Sequence, residues 1–66
     1  MRIRLNGDVH ELPATETVAA LLARLGIDAR TVAVELDRAV VKRARYADTP
    51  VQDGAEVEIV AFVGGG

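Results

Sequence analysis

Glu56-Val57-Glu58-Ile59-Val60-Ala61-Phe62-Val63-Gly64-Gly65-Gly66 closes the sequence, and its reading decides the fold. Alternation at period two marks a β-strand from Glu56 to Val63. Val57, Ile59, Ala61 and Val63 fall on one face, and Glu56, Glu58, Val60 and Phe62 on the other. The strand then runs straight into glycines, which neither extend a strand nor cap a helix. Without Cβ atoms such a run is thin, and its backbone can enter a channel that larger side chains would block. The Gly66 carboxylate is then deliverable to the active site of another protein. The plain alternative is a disordered tail or a cloning scar.

The glutamates on the second face indicate that it meets water. Val60 and Phe62 are then apolar side chains left exposed just before the glycines. Two readings stay open: the sheet curls there and buries Phe62, or the two residues form a docking patch with Glu58 beside them. Val60, Phe62 and Glu58 are the candidate docking residues.

Upstream, Asp53-Gly54 turns the chain into this strand. Residues 42–50 are polar and irregular, with one helical turn around Arg45-Tyr46. Val32-Ala33-Val34-Glu35-Leu36 reads as a strand, Asp37-Arg38 as a turn, and Ala39-Val40-Val41 as a short strand after it. Thr17 is the N-cap of a helix that begins at Val18. Val18, Leu21, Leu22 and Leu25 form one apolar stripe, and Gly26 sits where a left-handed residue ends the helix. Ala20 stands where a capping box would have Glu.

At the other end, Arg2-Ile3-Arg4-Leu5 alternates and Asn6-Gly7 gives the strongest short hairpin signal. The return strand, Val9 to Leu12, is closed by Pro13. The register predicts Leu5 opposite Asp8, Ile3 opposite His10 and Met1 opposite Leu12. That puts His10 on the core side, as a half-buried strand residue. The order ββαβ(β)β, with one helix on a mixed sheet, is α+β, and no repeat, linker or second domain is visible.

Sixty-six residues are near the lower limit for independent folding. Ordering them costs roughly 100 kcal/mol of conformational entropy, so a high apolar fraction is needed. Half of the chain is hydrophobic, but with one Phe and one Tyr the core must come from Val, Leu, Ile and Ala. There is no Cys and no Ser, which excludes disulfides, thiolate metal sites and any Ser–His or Cys–His nucleophile pair. Glu56 and Glu58 face the same way and could hold a cation, but a solvated acidic face is the simpler reading. No glycine-rich loop joins a strand to a helix in the manner of a phosphate site. The chain is expected not to be an enzyme and to hold no metal.

A net charge of −2 speaks against nucleic acid as a partner. Lys42, Arg43 and Arg45, the one basic cluster, read as a solvated loop. No apolar run is long enough for a membrane span, and no signal-peptide pattern opens the sequence. The cytoplasm is the expected location.

Leu5-Asn6-Gly7, Thr17-Val18 with Leu21-Leu22, Val32-Ala33-Val34-Glu35, Val40-Val41 with Arg43, Asp53-Gly54 and the closing strand with its glycines stand in this order over essentially the whole chain. The set resembles the ubiquitin-like β-grasp sulfur carriers of thiamine biosynthesis, the ThiS family. Lys42 departs from the family's pattern, since many relatives have Pro there in a Val-Pro-Arg run; this bears only on local loop shape.

The resemblance implies a ubiquitin-like β-grasp, with a mixed four- to five-stranded sheet and one helix packed on one face. Residues 1–63 would form the domain and 64–66 a flexible C-terminal tail. It also implies a protein substrate rather than a catalyst. A ThiF-like adenylyltransferase would adenylate the Gly66 carboxylate with ATP. A sulfur-donating protein would convert it to a thiocarboxylate, and a ThiG-like thiazole synthase would take the sulfur into the thiazole ring. Gly64, Gly65 and Gly66 would be presented to these partners. The carrier itself is expected to bind no cofactor, ATP belonging to the activating partner. Two alternatives share the fold: a molybdopterin-synthase small subunit, and an interaction module without tail chemistry.

Overall fold

The computed structural model describes residues 1–62. The sites expected at Gly64, Gly65 and Gly66, and the strand end expected at Val63, lie outside the described residues.

β1 (Arg2–Leu5) and β2 (Asp8–Glu11) form the expected hairpin, with Leu5 opposite Asp8 and Ile3 opposite His10. Asn6 and Gly7 both take positive φ, 48° and 86°, the turn whose twist matches that of the flanking strands. Met1 and Leu12 extend the pairing through backbone bonds in both directions, each 2.7 Å, and Leu12 then turns into the core. The expectation for His10 is overturned. It lies opposite buried Ile3, but β2 is the outermost strand of the sheet and all four of its residues are exposed.

The helix α1 (Val18–Arg24) has the expected ends. The Thr17 hydroxyl accepts from the Ala20 amide at 3.1 Å. Gly26, at φ 74°, donates to the Ala23 carbonyl, and Ile27 donates to that of Leu22; together these bonds satisfy two otherwise orphaned carbonyls. Val18, Leu21 and Leu22 are buried, while Leu25, at the C-cap, is only half-buried at the rim. Although no capping-box Glu is present, Glu16 holds the helix from outside. Its carboxylate accepts from Arg24 Nη2 at 2.8 Å and from Arg24 Nε at 3.1 Å, spanning the helix from end to end.

A small two-stranded ladder that the sequence reading missed joins β3 (Glu16–Thr17) to a later strand, Pro50–Val51. Elements of two residues carry no period from which to recognise them. The ladder places Thr49 against the helix start, where its carbonyl accepts from Val18 N at 2.9 Å.

β4 (Val32–Leu36) and β5 (Ala39–Val41) are joined by Asp37-Arg38, both at positive φ with no glycine. The helical turn expected near Arg45-Tyr46 is a longer 3-10 stretch, Arg43–Asp48, that seats Tyr46 in the core. Lys42, just before it, and its basic residues Arg43 and Arg45 are exposed, as solvated residues are. With Pro50–Val51 as β6, β7 (Glu56–Ala61) completes the set; it stops short of the predicted Val63.

The main sheet has the order β2-β1-β7-β4-β5, with β7 parallel to β1 and antiparallel to β4. It is therefore a mixed five-stranded sheet whose buried residues Ile3, Val34 and Val57 pack in one core with Leu21 and Leu22 of α1. This is the β-grasp arrangement. Each fully buried Leu or Val contributes roughly 1.5–3 kcal/mol, the main source of stability in so small a domain. No helix among the described residues is long and apolar enough to cross a membrane.

Candidate functional site

β7 is the middle strand of the sheet and leads toward the glycines. Its pleat follows the predicted parity from Val57 to Val60, while Ala61, expected on the face of Val57, is exposed at the strand end. Val57 is fully buried beneath α1 and Ile59 half-buried, while Glu58 and Val60 are exposed on the opposite face. Phe62 follows on that outer face and is 63% exposed, next to Val60 at 57%. The alternative in which the sheet curls over Phe62 therefore does not hold. The structure brings Val60, Phe62 and Glu58 onto one surface, just before the glycines.

Both edges of this strand are held. On the β4 side, Val34 lies opposite Ile59, Ala33 opposite Val60 and Val32 opposite Ala61, and Phe62 N donates to the Thr31 carbonyl at 2.9 Å. On the β1 side, the Ala55 and Val57 carbonyls accept from Arg4 N and Asn6 N, both at 2.9 Å. Beyond them the Asn6 side chain takes over: Ile59 N donates to Oδ1 at 2.8 Å, and Nδ2 donates to the Ile59 carbonyl at 3.2 Å. Phe62 is thus placed by backbone bonds that do not depend on its ring.

Register also supplies neighbours that the sequence reading missed. Glu35 lies directly opposite Glu58, and Val40, 74% exposed, lies opposite Glu35. Two like charges face to face across a strand pair are unfavourable by roughly 0.2–1 kcal/mol. Among the described residues neither has an ion-pair partner. The outer face is therefore a band: an apolar end at Val60, Ala33 and Phe62, then a pair of carboxylates. Only the pairing of β7 with β4 reveals this, because Glu35 and Glu58 are far apart in sequence. Glu56 is engaged separately, its carboxylate accepting from Arg38 Nε at 3.3 Å and its amide donating to Asp37 Oδ1 at 2.9 Å. Glu56 and Glu58 accordingly do not act as a pair.

On the helix side of the same strand end lies an open, mainly apolar cleft of about 550 Å³. Leu5, Leu25, Ile27, Ile59 and Ala61 line it, below the point where α1 stops at Gly26. Asp28 borders the cleft and caps the short 3-10 turn Ala29–Thr31, its Oδ1 accepting from Arg30 N at 2.9 Å. The Arg30 guanidinium, donating to the same carboxylate, and this backbone bond lower the Asp28 pKa to about 2. The turn so capped carries the Thr31 carbonyl that holds Phe62.

The ThiS family model matches residues 3–66. The sulfur carrier protein ThiS of Bacillus subtilis is 37% identical over 65 residues, which is 97% of this chain and 98% of that protein. Thiazole synthases of Paramagnetospirillum magneticum and Magnetococcus marinus are 47% and 42% identical over 66 residues. They are longer proteins, and this chain spans about a fifth (20%) of their length. The crystal structure of the thiamine biosynthesis protein ThiS from Geobacter metallireducens superposes over the whole of both chains, with a TM-score of 0.89 and 35% identity.

Proposed function

The chain belongs to the ThiS family, the sulfur carriers of thiamine biosynthesis, and from that premise we propose that the Gly66 carboxylate is its working group. A carboxylate resists nucleophilic attack because its charge is delocalised over both oxygens. In a ThiF-like adenylyltransferase, a Gly66 oxygen attacks the α-phosphorus of ATP and pyrophosphate leaves. A sulfur-donating protein then supplies sulfur at the sulfide level, which attacks the acyl carbon. AMP departs with the bonding electron pair, and a thiocarboxylate remains. A ThiG-like thiazole synthase takes that sulfur into the thiazole ring, in the cytoplasm. Beyond the Gly66 carboxylate itself, the chain is assigned no acid, base or nucleophile: it is a substrate held on a fold.

The observation that carries this reading is the construction of β7. One strand, fixed on both edges, displays Glu58, Val60 and Phe62 immediately before the glycines. Val60 and Phe62 are the apolar contact for a partner. Glu58, which remains in water, sets encounter rate and salt dependence more than affinity. Gly64, Gly65 and Gly66 reach on into the partner's channel. The similarity of this chain to part of two longer thiazole synthases supports a ThiG-like partner.

Intact-mass measurement tests the proposal, with the chain incubated with a ThiF-like adenylyltransferase, ATP and a sulfur source. The expected product is heavier by the difference between a sulfur and an oxygen atom. Deleting Gly65 and Gly66 should abolish the gain and leave the denaturation midpoint unchanged. A full-length chain that stays unmodified, or a truncated one that is still modified, overturns it.

A further inference from the structure

We propose that Asn6 is a positioning residue: its carboxamide replaces the next peptide unit of β1 and aligns the end of β7 from which the tail departs. The inference rests on the sulfur-carrier reading above. Ala55 and Val57 of the parallel pair direct their carbonyls at β1, where backbone amides meet them. β1 ends at Leu5, because the chain reverses at Asn6-Gly7, so the N–H and C=O of Ile59 face a side that the backbone has vacated. The Asn6 amide fills that side, accepting from one group and donating to the other, as a peptide bond would.

The residue type supports a role beyond the turn. A backbone at φ 48° accommodates Asn, Asp or Gly. Asp offers only acceptors, so it meets Ile59 N–H but repels the carbonyl, and Gly offers nothing. Asn alone among the three satisfies the turn and both Ile59 groups. Gly66 lies seven residues beyond Ile59, within about 25 Å of extended chain. Loosening Ile59 shifts the end of β7 from which the chain runs on to Gly66, and misplacement of a reacting group by about 1 Å can cost on the order of 100-fold in rate.

The test compares wild type, Asn6→Gly and Asn6→Asp as full chains, below their melting transitions. The readouts are amide hydrogen exchange at Ile59 and steady-state adenylation by a ThiF-like adenylyltransferase with ATP, the carrier being the varied substrate. In Asn6→Gly, exchange at Ile59 should accelerate about fivefold, as for one lost hydrogen bond. Its kcat should fall on the order of tenfold while KM for the carrier stays put, since Val60 and Phe62 are untouched. Asn6→Asp, which keeps the acceptor, should fall between. Wild-type kcat in Asn6→Gly alongside accelerated exchange overturns the positioning role, and so does a change confined to KM. Wild type that is not adenylated at all overturns the sulfur-carrier reading and this inference with it.

Discussion

Truncating Phe62 to Ala separates an outward patch from a core residue, because the two roles move different observables. Phe62 is 63% exposed, so only about a third of it is covered by the rest of the chain. Full burial of such a side chain is worth roughly 1.5–3 kcal/mol, and the covered part therefore about 0.5–1 kcal/mol. The bond from Phe62 N to Thr31 O belongs to the backbone and survives the change. A partner that accepts the ring in a pocket loses more, about 1–3 kcal/mol for an aromatic anchor, or roughly 5- to 150-fold in affinity. Urea denaturation and titration against a ThiF-like adenylyltransferase, run on one preparation, give both numbers. A small shift in midpoint with a large loss of affinity is the expected result. A large loss of stability with unchanged affinity would refute the docking patch.

Leu22→Ala should cost about 2–5 kcal/mol, since the side chain is fully buried, and a domain of this size holds only about 3–5 kcal/mol in reserve. A denaturation midpoint equal to that of wild type would remove Leu22 from the core. Glu35→Gln should raise stability by about 0.2–1 kcal/mol, because it relieves the repulsion with Glu58 across the strand pair; a lowered midpoint contradicts this. For Asp28, a folded pKa of about 2 against an ordinary 3.8 means that its contribution is full above about pH 4 and is lost as pH falls through 2. Carboxyl NMR should place its midpoint near 2 and, in Arg30→Ala, move it back toward 3.8; a wild-type midpoint at the ordinary value would contradict the Arg30 contact.

What was legible in the sequence were the positions where one residue type satisfies one local need. Asn6-Gly7 set the hairpin and its register, Thr17 and Gly26 set the helix ends, and Val57 against Glu58 set the parity of the last strand. The misses arise where strands meet. His10 has the predicted partner, but its burial depends on what covers β2 at the edge of the sheet, and there it stays exposed. The acidic pair Glu35 and Glu58 exists only once β4 lies beside β7. Glu16 and Arg24 meet around a helix, eight positions apart, a spacing with no local signature. In the same way, the turn residue Asn6 could be read as a turn and not as the clamp on Ile59, which lies 53 positions away.

The placement of β7 between two hairpins has a consequence for when the molecule becomes usable. β1–β2 and β4–β5 can each close on themselves through short turns, but neither touches the other in the main sheet until β7 enters between them. That strand follows both in the chain, and its pairing with β1 is long-range, the kind of contact whose closure slows folding. Before it enters, Glu58 has no Glu35 opposite, Ile59 has no Asn6, and Phe62 has no Thr31 to hang from. The surface beside the glycines and the completed sheet therefore come into being in the same event. An activating partner of the kind proposed, gripping this surface, would distinguish finished molecules from unfinished ones without a separate check, and ATP would be spent only on carriers that have folded.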